Sequence, residues 1–251
     1  MENEYLTGQI AEILHIHPNS VRWYDNVGLI SPARRTKKGY RKFNNGHLIQ
    51  LRILKVILRG KYSNKMIRNS AFAILTALKE KERPDALKKA LEYKKYLQKE
   101  YSSASRAVKI LTSWMNGDIA YSSAATMYSR KEAAQQVDVT VEVLRNWERN
   151  GLISVSRTGK KNERIYSETD IIRMRLIHML RQNNYSIAAI HNSLTLYDKG
   201  DIKGAASALN SPYEDPERVY LLAGDHWLEV LEKLLVDAEE MIAIIHFQNH
   251  K

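Results

Sequence analysis

The chain has 251 residues, 44% of them hydrophobic, with no cysteine and a formal net charge of +11. That length suits one large domain or two ordinary ones. Without cysteine there can be no disulfide, thiolate metal site or cysteine nucleophile. No apolar run reaches the roughly 18 residues that a membrane span needs. The N-terminal stretch MENEYLTGQI carries acids and no apolar run, so no signal peptide is expected. These features fit a cytoplasmic protein, or a cysteine-free secreted one whose signal has been removed.

A basic balance suggests an anionic partner, usually nucleic acid, and its distribution is more informative than its size. Residues 1–127 hold 23 Lys+Arg against 10 Asp+Glu. Residues 128–210 hold 13 against 9, and residues 211–251 hold 3 against 9. Positive charge is concentrated in the first half, and the C-terminal segment is acidic.

Shifted by 123 residues, the sequence matches itself without a gap over about 65 positions. Tyr5, Ala11 and Arg22 fall on Tyr128, Ala134 and Arg145. Gly28-Leu29-Ile30-Ser31 falls on Gly151-Leu152-Ile153-Ser154. Arg34, Lys37, Lys38 and Arg41 fall on Arg157, Lys160, Lys161 and Arg164, and Tyr62-Ser63 falls on Tyr185-Ser186.

In chain order, residues 6–14 read as a short helix with Ile10, Ile13 and Leu14 on one face. Pro18 suits the first turn of a second helix, which Gly28 ends as a left-handed cap. A basic hairpin, ARRTKKGYRKF, follows, then a helix over about 45–59. Ser63 is the expected N-cap of the next. The second copy predicts helices at about 129–137 and 140–150, a hairpin near 155–166 and a helix from about 168. Two short helices and a basic hairpin describe a winged helix-turn-helix.

After the first copy, Leu87, Ala90, Lys94, Leu97, Tyr101, Ala104, Val108, Leu111 and Met115 recur at steps of three and four. After the second, Leu221, Gly224, Leu228, Leu231, Leu235, Ala238, Ile242 and Ile245 do the same. Both read as coiled-coil seams, the alternative being an amphipathic helix packed on its own domain. The fold class expected is mostly α, with two winged helix-turn-helix modules, each followed by a long coiled-coil helix. The boundaries are 1–80 for the first module, 81–116 for its helix, and 117–127 for a linker. Residues 128–213 form the second module plus an extra segment, and 214–251 the second helix. Residues 84–115 carry 7 Lys+Arg and 3 Asp+Glu, and residues 214–247 carry 2 and 9. Opposite charge favours pairing the two helices within one chain; a homodimer is the rival.

The first copy resembles the DNA-binding domain of the MerR family of transcription regulators. The resemblance rests on Val21-Arg22-Trp23-Tyr24-Asp25, Gly28-Leu29-Ile30, Arg34-Arg35 and Gly39-Tyr40-Arg41. The second copy keeps Leu144-Arg145, Trp147-Glu148, Gly151-Leu152-Ile153, Arg157 and Arg164-Ile165-Tyr166, but has Asn162-Glu163-Arg164 in place of Gly-Tyr-Arg. The resemblance implies double-stranded DNA as partner, RNA polymerase as a further candidate partner, and contacts from Arg22, Tyr24, Arg34, Arg35, Tyr40 and Arg41.

A recognition helix reads base edges with its N-terminal residues, here Asn19, Ser20, Arg22 and Trp23. Asn suits adenine and Arg suits guanine. The wing cations, Lys37 and Lys38 included, suit phosphates, though Lys37-Lys38 alone would read as a solvated turn. The corresponding candidates in the second copy are Glu142, Val143, Arg145, Asn146, Trp147, Arg157, Lys160, Lys161 and Arg164. Tyr24 and Trp147 are alternatively core aromatics. Arg52 and Arg175 could pair with local acids or carbonyls instead of DNA.

GLISVSRTGKK has the wrong spacing for a phosphate-binding loop. His246 and His250 could share a helix face, but a solvated tail is the simpler reading. No acid pair, nucleophile–base set or cofactor motif stands out, so no enzyme activity, cofactor or metal is expected. The leading function is a sequence-specific promoter regulator. An architectural DNA-binding protein is the alternative, and an interaction module whose second copy has lost DNA binding is a third reading.

Overall fold

The computed structural model describes residues 3–60, 62, 64–80, 82–118, 126–155, 157–158, 163–209 and 226–246. The first module runs β1 (Glu4–Leu6), α1 (Thr7–Leu14), α2 (Pro18–Asn26), β2 (Arg34–Arg35), β3 (Arg41–Asn44), α3 (Asn45–Arg59) and α4 (Lys65–Lys79). Then comes the long α5 (Arg83–Met115). The second module repeats the plan with β4 (Met127–Ser129), α6 (Arg130–Val137), α7 (Val141–Arg149), β5 (Arg157–Thr158), β6 (Glu163–Ser167), α8 (Glu168–Gln182) and α9 (Ile187–Asp198). It adds α10 (Ile202–Ala208), and the described chain ends in α11 (Trp227–His246). Residues 1–99 and 231–251 form one compact unit, and residues 100–230 the other.

Local sequence explains the first module's element ends. Pro18 opens α2, and the His17 ring accepts the Asn19 amide at 3.1 Å. Gly28, at φ +70°, then lets the chain turn back where an L side chain would be strained. Asn44 caps α3 by accepting the His47 amide at 3.1 Å. The cap of α4 is Asn64, whose side chain accepts the Met66 amide at 2.7 Å, one residue past the expected Ser63, which lies outside the described residues. Ile10, Val21, Ile30, Phe43, Leu51, Ile53 and Leu54 are fully buried with Ile67, Ala71 and Ile74 of α4. Burial of this apolar set drives the module together.

Both modules contain a three-stranded sheet, in the orders β1-β3-β2 and β4-β6-β5. The outer strands β1 and β4 are additions to the two-stranded hairpins expected. Each is three residues long, too short to show an alternating pattern. Glu4 pairs with Asn44, and Met127 with Ser167, at the same shift of 123. The wings differ: Arg34 faces Lys42 in the first, while Arg157 faces Arg164 in the second. The ungapped repeat would set Arg157 opposite Ile165, so the second hairpin has slipped by one residue. Five residues separate β2 from β3, and four separate β5 from β6.

The long helices are present, but their buried stripes are not the expected seams; Leu221 and Gly224 of the second seam lie outside the described residues. On α5 the buried side chains are Ala86, Ala90, Tyr93, Leu97, Ala104, Ala107, Leu111, Trp114 and Met115. On α11 they are Trp227, Val230, Leu231, Leu234, Asp237, Ala238, Met241 and Ile245. In each helix one column is as expected and its companion lies one residue earlier. Lys94, the charged flaw in the expected seam, stands at the rim and meets Glu239 at 2.8 Å.

Candidate nucleic-acid interface

The recognition helix of the first module, α2, is positioned by two features. Val21 is fully buried, which fixes the helix face. The wing is tied to it by an ion pair: Arg41 Nε donates to Asp25 Oδ2 at 2.6 Å, with side-chain exposures of 14% and 10%. The Arg41 guanidinium also donates to Asn26 Oδ1 at 2.5 Å, and Asp25 Oδ1 accepts the Ala33 amide at 3.0 Å. Arg41 therefore commits two of its five N–H donors to α2, as a strut between wing and helix.

What remains outward on the first module is a polar and aromatic surface. Asn19, Arg22, Arg34, Arg35, Lys37 and Lys38 are exposed, as are Trp23 at 56% and Tyr40 at 64%. Ser20 and Tyr24 are half-buried, and Tyr24 packs edge-on against Trp23 with centroids 5.5 Å apart. Arg22 donates to Asn19 Oδ1 at 2.7 Å. At the wing tip, Gly39 turns at φ +84°. There Arg35 donates to the Gly39 carbonyl at 3.2 Å.

The second module repeats the strut with different chemistry. Glu148, at the place of Asp25, is the acceptor for Arg164, for the Tyr166 hydroxyl and for Arg130, the last at 3.3 Å. Arg164 is thus the counterpart of Arg41 in space as well as in sequence, despite the register slip. Trp147 is only 3% exposed, and its ring centre lies 6.4 Å from that of His178 with the planes tilted by 48°. The core-aromatic alternative describes it, and its indole offers no surface to DNA. On α7, Arg145 is exposed and Asn146 half-buried. Glu142 accepts from Arg145 and from Arg149, each at 3.1 Å.

The backbone of Arg157 lies in β5; its side chain, like Lys160, Lys161 and His250, lies outside the described residues. Arg175 donates to the Gln136 carbonyl at 3.4 Å, so it follows the local-carbonyl reading. Three functional positions escaped the sequence. Asp25 and Glu148 stand within the motifs without a role read from sequence, yet each accepts from the arginine of its wing. Arg149 shares a face with Arg145 four residues before it, and that spacing could have revealed it.

Among the described residues no helix is long and apolar enough to cross a membrane. Comparisons with curated proteins and with solved structures returned no match. The family described as MerR HTH family regulatory protein matches twice, at residues 5–71 and 128–196, together more than half of the chain. Each match begins in the first strand of its module and ends in the second helix after the wing. The chain belongs to the MerR family of helix-turn-helix regulators, DNA-binding proteins of transcription control, and carries the family's domain twice in tandem.

Proposed function

We propose that this chain is a sequence-specific regulator that acts in the cytoplasm as a single-chain pseudo-dimer on an asymmetric operator. The observation that carries this reading is the presence in one chain of two winged modules with different recognition-helix residues. Asn19 and Trp23 in one stand where Glu142 and Asn146 stand in the other. Asn19, Arg22 and Trp23 would read bases in the first half-site, with Ser20 and Tyr24 beside them. Arg34, Arg35, Lys37, Lys38 and Tyr40 would hold phosphates, which supply affinity without sequence information. Arg145 and Asn146 would read the second half-site, with Arg157, Lys160 and Lys161 on its backbone. Arg41 and Arg164 would aim their wings through the carboxylates they hold.

Pairing of the two long helices within the chain is supported by ion pairs inside the first unit. Lys94 of α5 meets Glu239 of α11 at 2.8 Å, and beside it Arg59 of α3 meets Asp237 of α11 at 2.6 Å. Opposite charges at such contacts select the mixed pair over two acidic helices together. On DNA, two linked modules would stabilise a bent or untwisted promoter spacer through their extra contacts, with RNA polymerase as the beneficiary.

Genome-wide mapping of bound DNA, followed by footprinting, tests this. The expected sites lie between two promoter elements and show distorted bases at their centre. Sites far from promoters on undistorted DNA would contradict it and favour an architectural role.

A further inference from the structure

The two recognition helices differ most sharply at their second residue. In the first module this is Asn19, whose Oδ1 accepts Arg22 at 2.7 Å. In the second it is Glu142, whose side chain is 64% exposed and whose two oxygens accept Arg145 and Arg149 at 3.1 Å each. The geometry is otherwise repeated, with an acceptor at position i holding an arginine at i+3. Arg149, which stands where the first module has Asn26, adds a second cation to the carboxylate.

The exchange of amide for carboxylate changes which base edge fits. An amide both donates and accepts, matching the adjacent N6–H and N7 of adenine. A carboxylate only accepts. Guanine O6 and N7, thymine O4 and every phosphate oxygen are acceptors too, so all of them repel it. Adenine offers one donor, with the N7 lone pair beside it, whereas cytosine offers N4–H without an adjacent N7. The neighbouring arginine keeps its own preference for guanine.

We infer that Glu142 is the specificity-determining residue of the second half-site. It accepts from a cytosine N4–H where Asn19 reads adenine in the first half-site, and Arg145 turns from it to a neighbouring guanine. On any other sequence the carboxylate keeps Arg145 and Arg149 to itself and faces acceptors, so the second module engages only a correct site. The second module thus adds its own discrimination to the affinity and base reading of the first. This rests on the regulator reading above.

Selection by the full chain from a library of random DNA duplexes, with sequencing of the bound fraction, tests it. The wild-type chain should enrich two unlike half-sites, one with cytosine and the other with adenine at the equivalent position. Glu142→Asn should convert that cytosine to adenine in one half-site alone, and Asn19→Glu should do the reverse. Glu142→Gln removes the charge at similar size and should strengthen binding to unselected duplex about tenfold, the scale of one mismatched pair. Unchanged half-sites in Glu142→Asn, with wild-type affinity retained, would overturn this inference alone, as would unchanged unselected binding in Glu142→Gln. A wild-type chain that enriches no sequence would overturn the regulator reading and this inference with it.

Discussion

Arg22 and Arg41 lie on neighbouring elements of one module yet should fail in different ways when removed. Arg22 is exposed, near the N-terminus of the recognition helix, and donates to Asn19 on the same helix. If it reads a guanine, Arg22→Ala costs about 1–3 kcal/mol of specific binding and relaxes the preference at one base. Fluorescence anisotropy titrations against matched and mismatched duplexes measure this, and equal losses on both would contradict it. Lys37→Ala should instead weaken all sequences alike and reduce the salt slope by about one. Arg41→Ala should act on stability. It leaves the mostly buried Asp25 without its cation, and breaking such a pair costs about 3 kcal/mol when fully buried, less here because both groups keep some solvent. A urea melt reads that loss. A variant that melts like wild type while binding DNA weakly would show that Arg41 touches phosphate directly.

Among elements, the junction of α3, α5 and α11 gathers several buried polar groups away from the candidate DNA-facing side chains. Asp237, 7% exposed, accepts Arg59 Nε at 2.9 Å, and Arg59 also reaches Glu240. Tyr62 and Tyr93 bury their hydroxyls near this carboxylate. Burial pushes the Tyr62 hydroxyl up to about 12, with the negative charge of Asp237 acting in the same direction. Burial raises Tyr93 as well. The folded state therefore holds these protons more tightly than the unfolded chain does. The Tyr62 contribution is complete below the ordinary tyrosine value of about 10 and is lost as pH rises through about 12. Urea melts between pH 9 and 12 should show stability falling in that window, by up to about 2 kcal/mol for Tyr62. Tyr62→Phe should flatten the fall; an unchanged slope would contradict the assignment.

The same elements show what a sequence can disclose. The repeat shift of 123 located α1, α2 and α3 and their counterparts almost to the residue, because Pro18, Gly28 and the apolar spacing act locally. The buried stripes of α5 and α11 were half legible. A three-four repeat leaves two adjacent columns available, and packing chose Tyr93 over Lys94 and Leu234 over Leu235. The burial of Trp147 was legible only as one of two alternatives, and the engagement of Arg41 and Arg164 was not legible. Each depends on a partner 15 or more residues away, and an exposed cation and an engaged one read alike in sequence.

For the whole molecule, the proposed pseudo-dimer would have one chain supply both modules of a DNA-binding unit that otherwise needs two chains. The unlike residues at 19 and 142 would then serve an asymmetric site, and a basic and an acidic helix in one chain would replace the contact between identical subunits. Light scattering on the free chain, and on the chain bound to a duplex recovered by selection, tests this most directly. The account predicts a mass of 29.0 kDa for the free chain and one chain per duplex carrying two unlike half-sites. Twice that mass at low micromolar concentration, or two chains on one palindromic duplex, would contradict it.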